Sequence, residues 1–272
     1  VALSPSSEQL STVVVSAGRF EQKIEEITVS MEVIKPSLIE NKNTTDIQTV
    51  MDQIPGVNIT DGQANIRGGS GWSYGAGTRV LVMVDDMPLI SGDAGQVQWK
   101  LIATENINQV EVIKGASSAL YGSSALNGVI NIRTAFPSQN NITKNKLPGY
   151  TKVNMHFGLI DKAERAELNW NGDKRRAFKG IEFLQSMKID NLDLSLGGNI
   201  FSDDGYRYLE VTDRKRFNLN STYKSKKTLG LSYGINANFL FQTTGSAIVW
   251  DGLDRAYIPL NEEITTTAGD TY

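Results

Sequence analysis

The sequence predicts an α+β domain followed by antiparallel transmembrane β-barrel strands, an incomplete barrel of about six strands. Three observations lead there. Residues Val110 to Arg133 read as strand, turn, short helix and strand. From Tyr150 onward, long segments alternate apolar and polar side chains. The run from Leu229 to Phe241 exceeds the roughly 5 to 6 residues of an average strand and fits the 9 to 11 or so that cross a membrane.

In the first part, Val1 to Leu10 is a polar, Ser-rich segment expected to be a mobile tail. Ser11 to Arg19 places three valines between hydroxyl residues and ends on Gly18-Arg19, the composition of a short extended segment; taken alone it is an edge strand. Glu21 to Glu26 is a charged linker and Thr28 to Val33 leans toward β. Asp46, Ile47, Val50, Met51 and Ile54 follow helical spacing, with Thr45 or Asp46 as cap and Pro55-Gly56 as terminator. Val57 to Thr60 resumes as strand and Asp61-Gly62 turns it. Gly68 to Thr78 holds five glycines with Trp72 and Tyr74. Such a loop either tucks its aromatics beneath it or offers them as flat contact area.

Arg79 to Val84 is a compact apolar strand buried on both faces, and Asp85-Asp86-Met87-Pro88 turns it. Successive strand residues point to opposite faces, so the two carboxylates form a turn rather than an acid pair or a metal site. Ser91 to Trp99 is a second polar, Gly-containing loop. In the central unit Val110 to Lys114 alternates as a strand does and Gly115 ends it. Ser117 or Ser118 can cap a short helix running to Leu126, Asn127-Gly128 stops it, and Val129 to Ile132 is β-branched enough for a second strand. A Gly turn opening a helix can cradle phosphate, but neither the P-loop nor the dinucleotide spacing occurs.

Beyond Arg133, the polar run Pro137 to Gly149 is the expected domain boundary. Val153, Met155, Phe157 and Leu159 then alternate with Asn154, His156 and Gly158, as do Ala166, Leu168 and Trp170 with their neighbours, and Leu192, Leu194, Leu196 and Ile200 with theirs. From Leu229 to Phe241 only Leu240 breaks the pattern. A soluble sandwich also alternates; strand length favours a membrane barrel with an apolar outside and a polar lumen.

Composition excludes several classes. With 27 basic against 30 acidic residues and no basic run interleaved with aromatics, nucleic acid is not an expected partner. The absence of cysteine removes disulfides, thiolate metal sites and cysteine nucleophiles. His156 stands alone on the polar face of its strand, and no nucleophile elbow, HExxH or EF-hand loop occurs. No enzyme activity, cofactor or metal is expected. A mean hydropathy of -0.26 does not count against a membrane barrel, whose alternation averages out.

The run Glu111-Val-Ile-Lys-Gly-Ala-Ser-Ser-Ala-Leu-Tyr-Gly-Ser-Ser-Ala-Leu-Asn-Gly-Val-Ile-Asn-Ile resembles the signature of the plug domain of TonB-dependent outer-membrane receptors. Lys114 stands where many members have Arg, Ala116 where many have Pro, and Asp86 where Gly is common. The order helix, Pro-Gly, strand, turn, Ile66-Arg67-Gly68 is similar to that of plug domains. The resemblance covers about Ser11 to Thr134 closely and the barrel by pattern. It implies a Ton-box tail and linker at 1–26, a plug at 27–140 and the N-terminal part of the barrel at 141–272. A barrel that encloses a plug has about 22 strands, so the six here are expected to end on an open sheet edge within a longer protein.

The same resemblance implies residue roles. Thr12, Val13, Val14, Val15, Ser16 and Ala17 would be the Ton box, offered to a TonB-type periplasmic energy-coupling protein by strand addition. Trp72, Tyr74, Asp93, Gln96 and Trp99 would form the substrate-facing plug apex. Arg67, Glu111, Lys114 and Arg133 would contact the barrel, with ordinary surface charge as the alternative. The implied function is energised uptake of a scarce ligand such as a ferric siderophore, cobalamin or glycan. The bacterial outer membrane is its implied place, with plug and Ton box reachable from the periplasm. Outer-membrane lipid, a small-molecule or oligomeric ligand and a surface lipoprotein are the further partners. The rival readings are a non-transporting plug-barrel subunit and a soluble α/β binding module.

Overall fold

The computed structural model describes residues 13–14, 16–18, 22–42, 44, 46–60, 62–69, 72–73, 77–92, 95–116, 118–135, 149–246, 250–260 and 266–271. The chain divides into two compact units after Thr134.

In the first unit β1 (Val13–Val14) pairs antiparallel with β2 (Gln22–Lys23). β3 (Met31–Ile34) leads into α1 (Pro36–Asn41), a turn of helix that the sequence reading did not anticipate although Pro36 at its start is well placed for one. α2 (Gln48–Met51) is shorter than the expected helix; Asp46 accepts the Gln48 N–H at 2.9 Å and so satisfies a free donor at its start. β4 (Val57–Thr60) and β5 (Gln63–Ile66) form a hairpin, and β6 (Trp72–Ser73) pairs with β7 (Gly77–Thr78). β8 (Val80–Val84) and β9 (Met87–Pro88) are joined by Asp85 and Asp86. Both have positive φ, +47° and +67°, the type I′ geometry that a two-residue hairpin favours and that explains why glycine suits this turn. β10 (Ile107–Lys114), α3 (Ser118–Tyr121) and β11 (Gly128–Thr134) complete the unit. The expected helix to Leu126 is broken at Gly122 (φ +84°), after which only a 3₁₀ turn follows.

These strands build one five-stranded sheet in the order β3-β10-β11-β8-β9, with β11 and β8 parallel. One face carries Val80, Val82, Val110, Val112, Ile130 and Ile132 against α1, α2, β4 and β5, forming the main core with Val50, Met51, Ile66 and Trp99. The other carries Leu81, Met83, Ile113 and Val129 with Tyr121. Alternation places Glu111 and Asn131, direct cross-strand partners, on this second face, and both are fully buried.

The second unit is a six-stranded antiparallel meander: β12 (Gly149–Ile160), β13 (Arg176–Ile189), β14 (Leu192–Asp203), β15 (Thr212–Lys224), β16 (Ser232–Ser246) and β17 (Thr266–Thr271). The sheet is open, as expected, with β12 and β17 at its edges. The strands β12 to β16 run 12 to 15 residues, long enough to cross a membrane at a tilt. Ala166, Leu168 and Trp170 are a correction. Their alternation suggested a strand, yet residues 166–168 form a 3₁₀ turn inside the long β12–β13 connection.

Register shows how the alternation is used. Side by side across β13 to β16 stand Ile181, Ile200, Lys215 and Phe241, then Phe183, Gly198, Phe217 and Phe239. Gln185, Leu196, Leu219 and Ala237 come next, then Met187, Leu194, Ser221 and Ile235, and last Ile189, Leu192, Tyr223 and Tyr233. Five such rows span about 27 Å along the strands, or about 20 Å along a membrane normal at the usual tilt, close to the apolar band of an outer-membrane barrel. The opposite face is polar. Asn199 donates to Glu182 at 3.1 Å, Arg214 donates to Asn199 at 3.2 Å, and Lys188 and Lys224 flank Asp193 at 3.1 and 3.3 Å. His156 lies on that polar face as expected, its ring over Gly180 and packed beside Phe178 and Phe201.

Candidate functional site

The residues that come together most closely in the first unit surround Ser16. Its backbone N–H donates to Glu111 Oε2 at 2.7 Å, its carbonyl accepts the Tyr121 hydroxyl at 2.6 Å, and its own hydroxyl accepts Asn131 Nδ2 at 2.9 Å. Asn131 Nδ2 also reaches Asp86 Oδ1 at 2.9 Å, Asp86 Oδ2 accepts Arg133 Nη1 at 2.8 Å, and Arg133 Nε lies 3.8 Å from Glu111 Oε1. The contacts close into a ring: Ser16, Asn131, Asp86, Arg133, Glu111 and back to Ser16. Ser16 and Val14 are fully buried.

The local sequence explains the ring. β10 and β11 carry polar side chains at alternate positions, Gln109 and Glu111 on one, Asn131 and Arg133 on the other, and the register sets them opposite each other. The left-handed turn at Asp85-Asp86 then brings two carboxylates to β11. Asp86 takes Asn131 and Arg133, while Asp85 accepts the Thr134 N–H at 3.0 Å and its hydroxyl at 2.5 Å. Burial pushes the Asp85 carboxyl above its ordinary value, against the lowering effect of the Thr134 hydrogen bonds and the Arg133 charge.

Chemically, Glu111 of the ring and Tyr121 beside it occupy both main-chain groups of Ser16. A segment recruited by strand addition must offer those groups to its partner. While Glu111 holds the Ser16 N–H, that donor is not available to an added strand. The β1–β2 ribbon adds little of its own, because two paired residues per strand are marginal in water. Thr12 and Val15, the other expected members of this segment, lie outside the described residues, and Ala17 is half-buried.

The other expected site residues are placed as follows. Trp72 contributes to the β6–β7 pair through Thr78; Tyr74 and Asp93 lie outside the described residues. Gln96 is exposed, and the two glycine loops meet where the Thr78 N–H donates to the Gly95 carbonyl at 3.1 Å. Trp99 is a correction: it is 5% exposed in the main core, and its indole N–H donates to the Gly62 carbonyl at 2.6 Å, so it anchors the loop from beneath. Arg67 donates to Ser30 Oγ at 2.6 Å, and Lys114 pairs with Glu32 and donates to the Pro55 carbonyl at 2.8 Å. With Glu111 and Arg133 in the ring, all four expected contact residues have partners within their own unit.

Sequence reasoning missed Tyr121 and Asn131 and assigned Asp86 to turn formation alone. The signal was there for Asn131: like Glu111, it is a single polar residue inside an apolar β-branched run. In the second unit it also missed the loop end of the sheet. There Arg176 stacks on Trp170 at 4.3 Å, Trp170 meets Tyr208 edge-on, and Arg207 lies between Tyr206 and Trp250 at 4.9 and 4.7 Å. These cation–π contacts tie the long connections together around a cleft of about 160 Å³ lined by Lys162, Trp170, Arg176, Tyr206 and Tyr257.

Residues 23–129 match the family model of the TonB-dependent Receptor Plug Domain. The vitamin B12 transporter BtuB of Vibrio vulnificus strain YJ016 is 36% identical over 129 residues, 45% of this chain and 20% of that protein. The vitamin B12 transporter BtuB of Photobacterium profundum is 32% identical over 133 residues, again 45% and 20%. Among solved structures, the unliganded ferric citrate transporter FecA aligns with a TM-score of 0.61 at 15% identity, covering 85% of this chain and 34% of that one. The ferripyoverdine receptor of Pseudomonas aeruginosa aligns with 0.58 at 15% identity, covering 89% and 30%. The chain spans about one fifth of the length of the curated relatives it matches.

Proposed function

We propose that this chain, which belongs to the TonB-dependent outer-membrane receptors, supplies the plug and the first barrel strands of a receptor that takes up a scarce ligand across the outer membrane, driven by a TonB-type periplasmic protein that engages residues 12–17. The observation that carries the reading is the docking of Ser16 on Glu111, Tyr121 and Asn131, three residues of the plug signature itself. A segment held by its main chain can be released and then read by its main chain, which is what strand addition requires. In this reading ligand arrival favours release, and force on the released segment remodels the plug.

Trp72, Tyr74, Asp93 and Gln96 are the proposed ligand-facing residues of the plug, joined by the aromatic and arginine side chains at the loop end of the sheet. Arg67, Glu111, Lys114 and Arg133 are the proposed charges toward the barrel wall, which a plug moving through a watery lumen needs in place of apolar adhesion. Names among the relatives include a vitamin B12 transporter and a ferric citrate transporter, which supports a metal chelate as the class of ligand to try first.

The test is uptake of cobalamin, ferric siderophores and glycans by cells carrying the protein at its natural length, with and without residues 12–17. Uptake of one ligand that collapses on deletion supports the proposal. Uptake or complex assembly indifferent to the deletion would instead favour a non-transporting subunit.

A further inference from the structure

Arg133 is held in the Ser16 ring by half of its guanidinium. Nη1 donates to Asp86 Oδ2 at 2.8 Å, while Nε and Nη2 are buried and, among the described residues, donate to no acceptor. Together Nε and Nη2 form an edge that matches a carboxylate with two parallel hydrogen bonds. A buried donor left without an acceptor is costly. Because both nitrogens are enclosed within this chain, an acceptor for them has to come from the chain itself.

The acceptor at hand is Glu111, whose Oε1 lies 3.8 Å from Arg133 Nε, too far for a hydrogen bond. Register explains the near miss. Glu111 is the direct cross-strand partner of Asn131, and Gln109 that of Arg133, so Glu111 and Arg133 are diagonal neighbours on β10 and β11. Diagonal neighbours stand about 7 to 8 Å apart, a span that long side chains bridge. In this state the carboxylate is turned to the docked segment instead: Oε2 accepts the Ser16 N–H at 2.7 Å, and Oε1 accepts Gln109 Nε2 at 2.6 Å.

We propose that Glu111 is an exchangeable latch, which holds the Ser16 N–H in the docked state and turns onto the Nε and Nη2 edge of Arg133 once the segment leaves. The inference rests on the reading of residues 12–17 as the segment offered to a periplasmic partner. Only the Glu111 side chain has to move. Asp86 keeps the guanidinium in place through Nη1, and Gln109 can stay on Oε1, since a carboxylate offers about four lone-pair sites. The exchange gives the released state a new donor pair for a buried carboxylate that has lost one, and gives Arg133 the acceptors it lacks while Ser16 is docked. Arg133 therefore works against docking although it belongs to the ring. It is a positioning residue that sets how readily the segment is given up.

The experiment uses the protein at its natural length in phospholipid vesicles, with a spin label at residue 13 reporting docked and mobile fractions at a temperature where both are populated. Arg133→Lys keeps the charge and a donor for Asp86 but has no second edge to offer Glu111. The ratio of docked to mobile is expected to rise about fivefold, the reverse of what losing a merely structural member of the ring would do. In a Glu111→Gln background the same substitution should leave the ratio unchanged, because a neutral amide is a weak partner for the guanidinium. A ratio that falls or stays level in Arg133→Lys, or that rises equally in both backgrounds, overturns the proposal. Ser16→Pro supplies a second test that leaves Glu111 and Arg133 untouched. With the Ser16 N–H deleted, a crystal structure should show the Glu111 carboxylate within about 3 Å of Arg133 Nε and Nη2. A carboxylate still apart from both nitrogens overturns the exchange as well, even where Arg133→Lys fails to fold. A wild-type protein with no docked fraction is a different failure, since it removes the docking on which the proposed function stands, whereas a docked wild type whose ratio ignores Arg133→Lys removes the exchange alone.

Discussion

Ile130 and Asn131 are consecutive residues of β11, and both are buried to the last atom. Ile235 and Asn236 are consecutive residues of β16, and both are exposed, Ile235 at 68%. Both pairs alternate with period two. In the first unit each face of the sheet is covered, so alternation separates two interiors, the main apolar core on one side and, on the other, a smaller apolar cluster beside the ring of polar partners around Ser16. In the second unit alternation separates an apolar face from a polar network of Glu182, Asn199 and Arg214. The difference teaches that apolar periodicity marks a surface without saying which solvent that surface meets. Strand length and the placement of charge decide that.

Truncation should divide the two regions most sharply. Ile130→Ala removes a fully buried side chain from the main core and should cost about 2 to 5 kcal/mol, enough to unfold the first unit at modest urea concentration. Ile235→Ala should shift the transition by far less. Equal losses at the two positions in urea titrations would show that β16 is packed like β11 and would break the comparison.

Charge should divide them in the other direction. Ala237 belongs to the middle of the five apolar rows, where an arginine facing lipid costs about 2 to 4 kcal/mol. Ala237→Arg should therefore depress folding into phospholipid vesicles by that amount, and Asn236→Arg, one residue away on the polar face, should be close to neutral. Should both be tolerated equally, the apolar face is not a lipid-facing one.

Within the first unit the Ser16 ring can be opened without touching the core. Glu111→Gln exchanges a charge-assisted hydrogen bond for a neutral one and should weaken docking by about 1 to 2 kcal/mol. Tyr121→Phe, which removes the hydroxyl that donates to the Ser16 carbonyl, should cost about 1 kcal/mol. A spin label at residue 13 should gain mobility in both variants while the unfolding midpoint of the core barely moves. Unchanged mobility would mean that the segment is held by something other than the ring.

Much of this was legible in the sequence, and the exceptions have physical reasons. The strands β10 and β11 and the long barrel strands follow from β-branched composition and period, and Asp46 from capping chemistry. The helix after Gly115 was overread because Gly122 with positive φ breaks it after one turn. Ala166, Leu168 and Trp170 satisfied a strand pattern over five residues, too few to tell a strand from a loop. Trp99 looked like a ligand contact because a Gly-containing polar loop precedes it; in the fold it packs in the main core and its indole N–H finds the carbonyl of Gly62, 37 residues earlier in the chain. The Ser16 ring depends on contacts between residues 95 to 115 positions apart, which no local pattern encodes.

The smallest effect concerns Asp85, at the turn that feeds the ring. Its carboxyl is pushed above the ordinary value of 3.8 chiefly by burial, with the neighbouring Asp86 charge adding to the effect and Thr134 and Arg133 opposing it. An acid whose folded value is raised binds its proton more tightly in the folded state. Its contribution to stability is then fully present below pH 3.8 and is lost as pH rises through the raised folded value. Asp85→Asn removes the titration. The amide oxygen still accepts the Thr134 N–H, asparagine tolerates the φ of +47°, and Arg133 keeps Asp86 at 2.8 Å. Above that window the variant should match or exceed the wild-type protein, by no more than about 1 kcal/mol. Thermal melts of both proteins from about pH 3.5 to about pH 7, taken as a difference curve, isolate this one group. The difference should rise in favour of the variant as pH increases. A difference that instead turns against the variant with rising pH would mean that the Thr134 and Arg133 contacts to the ionised carboxylate outweigh its burial.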